Sequence, residues 1–112
     1  MDFSQDLVRG SVTPIVLALL QDKSMYGYEM VKAVNARTNG LLEWREGTLY
    51  PALHRLEAAG LIAGRWREAA GKDAARQRKY YAITRSGRRE LAHRAQEWRL
   101  FNQAVNACLW GA

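Results

Sequence analysis

Glu46-Gly47-Thr48-Leu49-Tyr50-Pro51-Ala52-Leu53-His54-Arg55-Leu56-Glu57-Ala58-Ala59-Gly60 reads as one short helix with two unlike faces. Leu49, Leu53 and Leu56 recur at helical spacing and mark a buried side. Thr48 is placed to cap the start, its hydroxyl accepting a backbone N–H that the first turn leaves unpaired. Pro51 then falls in the first turn, where a missing N–H costs little. Gly60 ends the helix, since a left-handed residue costs glycine nothing. Thr48, Pro51, His54, Arg55 and Ala58 project the other way. That face is small and polar, with one guanidinium fork. It suits a helix lying in a DNA major groove, where bulk would hold it off the bases. An ordinary amphipathic surface helix has the same pattern, so the neighbouring segments decide.

Upstream, Leu7 to Leu20 reads as helical, and Ile15-Val16-Leu17-Ala18-Leu19-Leu20 is apolar nearly all round, which makes this helix central. Ser11 or Thr13 can cap it with Pro14 in the first turn. If it begins as early as Leu7, Pro14 must kink it. Ser24 can cap a second helix, Tyr26 to Thr38, with Tyr26, Met30, Val31 and Val34 inward and Asn39-Gly40 as the stop.

Downstream, the period changes. Leu61 to Glu68 and Lys79 to Thr84 read as two strands of a hairpin, with Ala69 to Arg78 as a long tip that is small and basic. Thr84 then caps a long last helix. Its apolar positions, Leu91, Ala95, Trp98, Phe101, Val105, Cys108 and Leu109, make one stripe nearly five turns long.

Three helices followed by a basic hairpin form a winged helix-turn-helix, in which the third helix reads the major groove and the hairpin rests on the backbone. The expected class is mainly α with a small β-hairpin (α+β). Residues 1–84 are the DNA-binding domain and 85–112 the C-terminal dimerisation helix, joined as one compact unit.

Composition agrees with a polyanionic partner. The chain has 112 residues and a net charge of +6, with a pI near 9.9. Residues 61–89 hold nine basic side chains against Glu68 and Asp73, so the rest of the chain is slightly acidic. A clustered excess looks like a binding footprint. A core of this size is small, and help from a second subunit fits it. Cys108 is the only cysteine, which excludes an internal disulfide and fits a reducing cytoplasm. The acidic start, Met1-Asp2-Phe3-Ser4-Gln5-Asp6, lacks a signal peptide's features, and the longest apolar run is too short to span a membrane. The chain is expected in the cytoplasm, away from membranes.

At these residues the chain resembles the PadR-like transcriptional regulators. The matching segments are Leu7-Val8-Arg9-Gly10-Ser11, Tyr26-Gly27-Tyr28-Glu29-Met30, Gly47-Thr48-Leu49-Tyr50-Pro51 with Arg55-Leu56-Glu57 and Gly60-Leu61-Ile62, and Arg78-Lys79-Tyr80-Tyr81 with Thr84 and Gly87-Arg88. Trp98 stands where many members carry a tryptophan on the last helix. The single last helix is similar to the family's short branch, while Gly71 to Arg76 departs from its more glycine-rich wing tips. The resemblance implies a homodimeric bacterial repressor on an inverted repeat of double-stranded DNA. It also implies, for some short-branch members, flat aromatic or cationic drugs bound between the two last helices.

Lys72, Arg76, Arg78 and Lys79 can neutralise phosphates and release counterions; a solvated charge run is the plainer alternative. His54 and Arg55 can reach base edges, arginine being the commonest guanine reader. Arg55 can instead pair with Glu29 or near Glu57. Thr48 and Tyr50 contact phosphate or cap the helix, which positions without specifying, and Pro51 shares their face. Trp98 either fills the dimer core or stacks on an aromatic ligand, with Ala95, Phe101 and Asn102 beside it. Leu91, Trp98, Phe101, Val105 and Leu109 are the dimerisation stripe. Enzyme chemistry finds no support: His54, His93 and Cys108 are too scattered for a metal, no phosphate loop is present, and no cofactor is expected. Two further readings stay open. One is a nucleic-acid-binding module that senses nothing, the other a small-molecule-binding protein whose DNA contacts are vestigial.

Overall fold

Ser4 opens the first helix, its hydroxyl accepting the Leu7 N–H at 3.4 Å, and helix α1 runs Gln5–Leu19. The computed structural model describes residues 2–68 and 77–111. The cap expected at Ser11 or Thr13 is therefore wrong. The Ser11 hydroxyl donates back to the Val8 carbonyl at 2.8 Å, and Pro14 lies inside the helix. Propensity alone would forbid that proline. Burial of Val12, Val16, Leu17 and Leu19 offsets it, each such side chain contributing about 1.5–3 kcal/mol.

Ser24 caps nothing among the described residues. Met25–Tyr26 forms a short strand β1, and helix α2 runs Gly27–Arg37. The Tyr26 N–H donates to Glu29 Oε1 at 3.1 Å, so the carboxylate two residues into the helix satisfies its entry. Met30 and Val34 are buried as expected, and Val31 is half-buried. The Asn39-Gly40 stop holds, with φ of 52° and 81°. Beyond it Trp44, 5% exposed, closes the core from an irregular segment that periodicity could not assign.

Helix α3 runs Glu46–Ala58 and begins earlier than expected. Arg45 is its N-cap residue, and its carbonyl accepts from Thr48 at 2.9 Å and Leu49 at 3.1 Å. Thr48 is thus already helical and is not the cap. Pro51 is interior, so the Gly47 carbonyl loses its intrahelical donor on the exposed side. At the far end Gly60 has φ of 75°, donates to Glu57, and Leu61 donates to Leu56, both at 3.0 Å. This left-handed closure turns the chain into the sheet.

Strands β2, Ile62–Glu68, and β3, Gln77–Ile83, pair antiparallel, and β1 adds to the other edge of β3. The sheet is therefore three-stranded, in the order β1-β3-β2, where sequence suggested a hairpin alone. Gln77 and Arg78 belong to β3 rather than to the tip. Lys72 and Arg76 lie outside the described residues, as do Gly71, Ala74 and Ala75.

Thr84 caps helix α4, Arg85–Trp110, accepting the Gly87 N–H at 3.0 Å and donating to the Gly60 carbonyl at 2.7 Å. A Cβ on Gly87 would run into the Leu61 carbonyl, so the start of α4 is packed hard against the turn that ends α3. The first turns of α4 lie against α1, where Leu91 joins the core. Beyond them the helix projects, and Trp98, Phe101 and Leu109 are 47%, 64% and 64% exposed.

Candidate nucleic-acid interface

Leu49, Ala52, Leu53 and Leu56 bury one side of α3 completely or nearly so. At 100° per residue the opposite side is centred on Gly47, Pro51, His54 and Ala58. All four are exposed. Three are small, so the helix backbone can approach a partner closely, and His54 is the one polar side chain among them. The flanks differ. Tyr50 and Glu57 turn toward the sheet, while Thr48 and Arg55 turn toward α1.

A cleft of about 390 Å³ lies between α3 and the hairpin, lined by Tyr26, Gly27, Tyr50, His54, Trp66, Gln77, Arg78, Lys79 and Tyr81. Tyr50 reaches across to α2. A Cβ on Gly27 would stand 2.6 Å from its hydroxyl, so a side chain there would push the exposed end of Tyr50 aside. Trp66, directly across from Lys79 in the β2–β3 register, is 64% exposed. Sequence reading placed it in a strand but not at the site. Its parity with Gly64 and Ile62, both inward, was the available signal.

Lys79 does not extend freely toward solvent. Its Nζ lies 2.9 Å from Glu57 Oε1, and Glu57 Oε2 accepts the Gly64 N–H at 3.1 Å. The Lys79 hydrogen bond, with the Gly64 N–H, holds the Glu57 carboxyl below its ordinary range against partial desolvation, and the Lys79 ammonium is raised by the same hydrogen bond. Burial pushes the Tyr81 phenol up. Glu57 thus pairs with Lys79, not with Arg55. Glu29 meets the Tyr26 N–H. The ion pair considered for Arg55 does not form among the described residues.

By strand register the opposite side of the hairpin carries arginines stacked on tyrosines, of which Tyr26 and Arg78 also reach the edge of the α3 cleft. Arg67 lies 3.8 Å over the Tyr80 ring and Arg78 4.4 Å over Tyr26, while the two rings meet edge to face at 5.3 Å. The register pairs Arg67 with Arg78 and Tyr26 with Tyr80, which puts all four on one side. Of the basic residues on the two hairpin strands, Arg65, Arg67 and Arg78 share one side by register and Lys79 takes the other.

A second concavity, about 560 Å³ and almost wholly apolar, runs between α1 and α4. Ala95 and Trp98 line it with Phe3, Leu7, Pro14, Ile15 and Leu91. Phe101 and Asn102, also expected at a ligand site, do not. Phe101, Val105 and Leu109 continue the exposed stripe beyond it. The spacing of Leu7, Ser11, Pro14, Ile15 and Ala18 along α1 was the signal for the opposite wall.

Comparison with known proteins gives a consistent picture. Residues 16–93 match the model of the transcriptional regulator PadR-like family. A transcriptional regulator from Clostridium thermocellum superposes with a TM-score of 0.83 at 35% identity, covering 91% of this chain and 96% of that one. A PadR family transcriptional regulator from Eggerthella lenta gives 0.80 at 31% identity, covering 96% and 88%. The transcriptional regulator YqjI of Escherichia coli is 28% identical over 92% of this chain, which spans only 46% of that longer protein.

Proposed function

This chain belongs to the PadR-like family of transcriptional regulators, and we propose that it acts as a homodimeric repressor on an inverted-repeat operator, released by a small planar aromatic or cationic molecule bound at the dimer interface. The family is one of regulators, not enzymes. The observation that carries the DNA half is the outward side of α3. Gly47, Pro51 and Ala58 let the helix seat deeply in a major groove, and His54 at their centre meets base edges. Thr48, Tyr50 and Arg55 work from its flanks. Arg78, with Lys72 and Arg76 nearby in sequence, supplies phosphate affinity. Lys79, held by Glu57, keeps the hairpin at a set distance from the recognition helix.

The dimer half rests on the apolar side of α4. From Leu91, which packs on the core, the stripe continues outward as Trp98, Phe101, Val105 and Leu109, which the core does not cover, and a second copy is its natural cover. A two-fold axis near Trp98 brings two indoles together, and a flat guest can stack between them. Ala95 leaves space beside that slot, with Phe101 and Asn102 along the seam. Among the described residues no helix is long and apolar enough to cross a membrane.

Selection of bound duplexes from a random pool tests the reading. The expected product is an inverted repeat whose half-sites lie about 34–36 Å apart, one helical turn. A pool that enriches no sequence would remove the operator from the proposal.

A further inference from the structure

The side of α3 turned away from the hairpin carries a third concavity, of about 580 Å³, between the start of α1 and the start of α3. Three arginines converge on it: Arg9 from α1, Arg45 at the α3 N-cap, and Arg55 two turns along α3. Glu43 is the one carboxylate in its wall. Arg9 Nη2 donates to Gln5 Oε1 at 3.3 Å, and among the described residues none of the three arginines, nor Glu43, makes an ion pair. Gly47 and Pro51 form its rim, so the cleft opens onto the outward side of the recognition helix.

Three arginines against one carboxylate leave this hollow with an excess of positive charge. Such a set makes sense when an anion completes it, because the guanidinium fork matches phosphate in geometry as well as charge. The dimensions indicate which phosphate. A helix is about 10–12 Å across and the major groove about 12 Å wide, so a helix seated there has a sugar-phosphate strand along each flank. On one flank stands the hairpin. On the other stands this cleft.

We infer that Arg9 and Arg45, with Arg55 as the inner wall, hold the DNA strand on the α1 side of the recognition helix, opposite the strand that the hairpin contacts. The recognition helix is then gripped from both sides, and its depth and register in the groove are set by two rails. The inference rests on the DNA-binding reading above. It adds Arg9 and Arg45, which lie outside the basic run of residues 61–89, as positioning contacts to the backbone.

The test is binding of the full chain to its selected duplex and to a random duplex across a salt series. Arg9→Ala/Arg45→Ala is expected to weaken both by a similar factor and to make the salt slope shallower by roughly 2 for each protomer engaged. Arg9→Lys/Arg45→Lys keeps the charge and should keep most of the slope. Arg99→Ala, on the exposed part of α4, should change neither. If the wild type binds duplex and the alanine pair leaves affinity and slope intact, the cleft is not a phosphate site, while the DNA-binding reading stands. A loss confined to one sequence would make the arginines base readers and would overturn the assignment. A wild type that binds no duplex at low salt brings down the DNA reading itself.

Discussion

Glu57 on the recognition helix and Lys79 on the middle strand are joined at 2.9 Å, so one ion pair ties α3 to the hairpin. Glu57 also takes the Gly64 N–H, and a Cβ on Gly64 would strike Lys79 Cε. Helix and hairpin are thus held at one separation by three residues from three different elements.

That pair predicts a pH dependence. The Glu57 carboxyl is shifted down by its Lys79 hydrogen bond, so its contribution is complete above the unfolded carboxyl range and is lost as pH falls through the depressed folded value. Lys79 is shifted up, so its share is complete below the unfolded amine range and fades as pH rises through the raised folded value. Glu57→Gln should therefore lower the melting temperature at neutral pH, and the gap to wild type should close in acid. The same variant frees Lys79 and removes a negative charge, so binding to random DNA should tighten, with a salt slope steeper by about 1. Unchanged melting and binding would show that the pair is incidental.

Gly27→Ala places a methyl 2.6 Å from the Tyr50 hydroxyl. The Tyr50 ring is 39% exposed and can swing aside, so the cost should fall at the low end of the overpacking range, about 1 kcal/mol. Adding Tyr50→Phe removes the nearest atom and should recover part of the loss in urea melts. Simple additivity of the two changes would mean the contact does not govern either residue.

His54→Ala and Arg78→Ala should separate choice from affinity. Loss of His54, at the centre of the outward face, should relax base preference at one position of each half-site, at about 1–3 kcal/mol on the operator. Loss of Arg78 should weaken operator and random duplex alike and reduce the slope by about 1. Competition binding with single-base operator variants distinguishes them. An exchange of the two phenotypes would reverse the assignment.

The exposed α4 stripe predicts a dimer at micromolar concentration. Phe101→Asp should dissociate it, since a charge buried in an apolar seam without a partner is strongly disfavoured. Sedimentation of wild type as a folded monomer would refute the proposed seam.

Trp98 should report ligand. Planar aromatic cations should quench wild-type tryptophan fluorescence strongly and Trp98→Ala weakly, with Trp44, Trp66 and Trp110 as the remaining emitters. Trp44 is buried, so it adds little response to a ligand in solution. Undiminished ligand affinity in a folded, dimeric Trp98→Ala would leave Trp98 a packing residue.

Much of this molecule was legible in short-range pattern. The spacing of Leu49, Leu53 and Leu56, the left-handed Gly60, the Asn39-Gly40 stop, the Thr84 cap and the apolar run from Ile15 to Leu20 each depend on neighbours within a turn or two. Those interactions are written in consecutive residues. The starts of α1 and α3 were not, because Ser4 and Arg45 serve as N-caps only when the helices that follow them are already packed, and packing also keeps Pro14 and Pro51 inside. Strand β1 is two residues long and exists only because Tyr80 and Tyr81 lie beside it, more than fifty residues away in the chain. The same holds at the candidate site. Glu57 finds Lys79, and Arg9 comes to share one concavity with Arg45 and Arg55, through the crossing of separate elements. A residue's type shows what it can bind, but which residues face one hollow is decided only when non-local burial closes the chain.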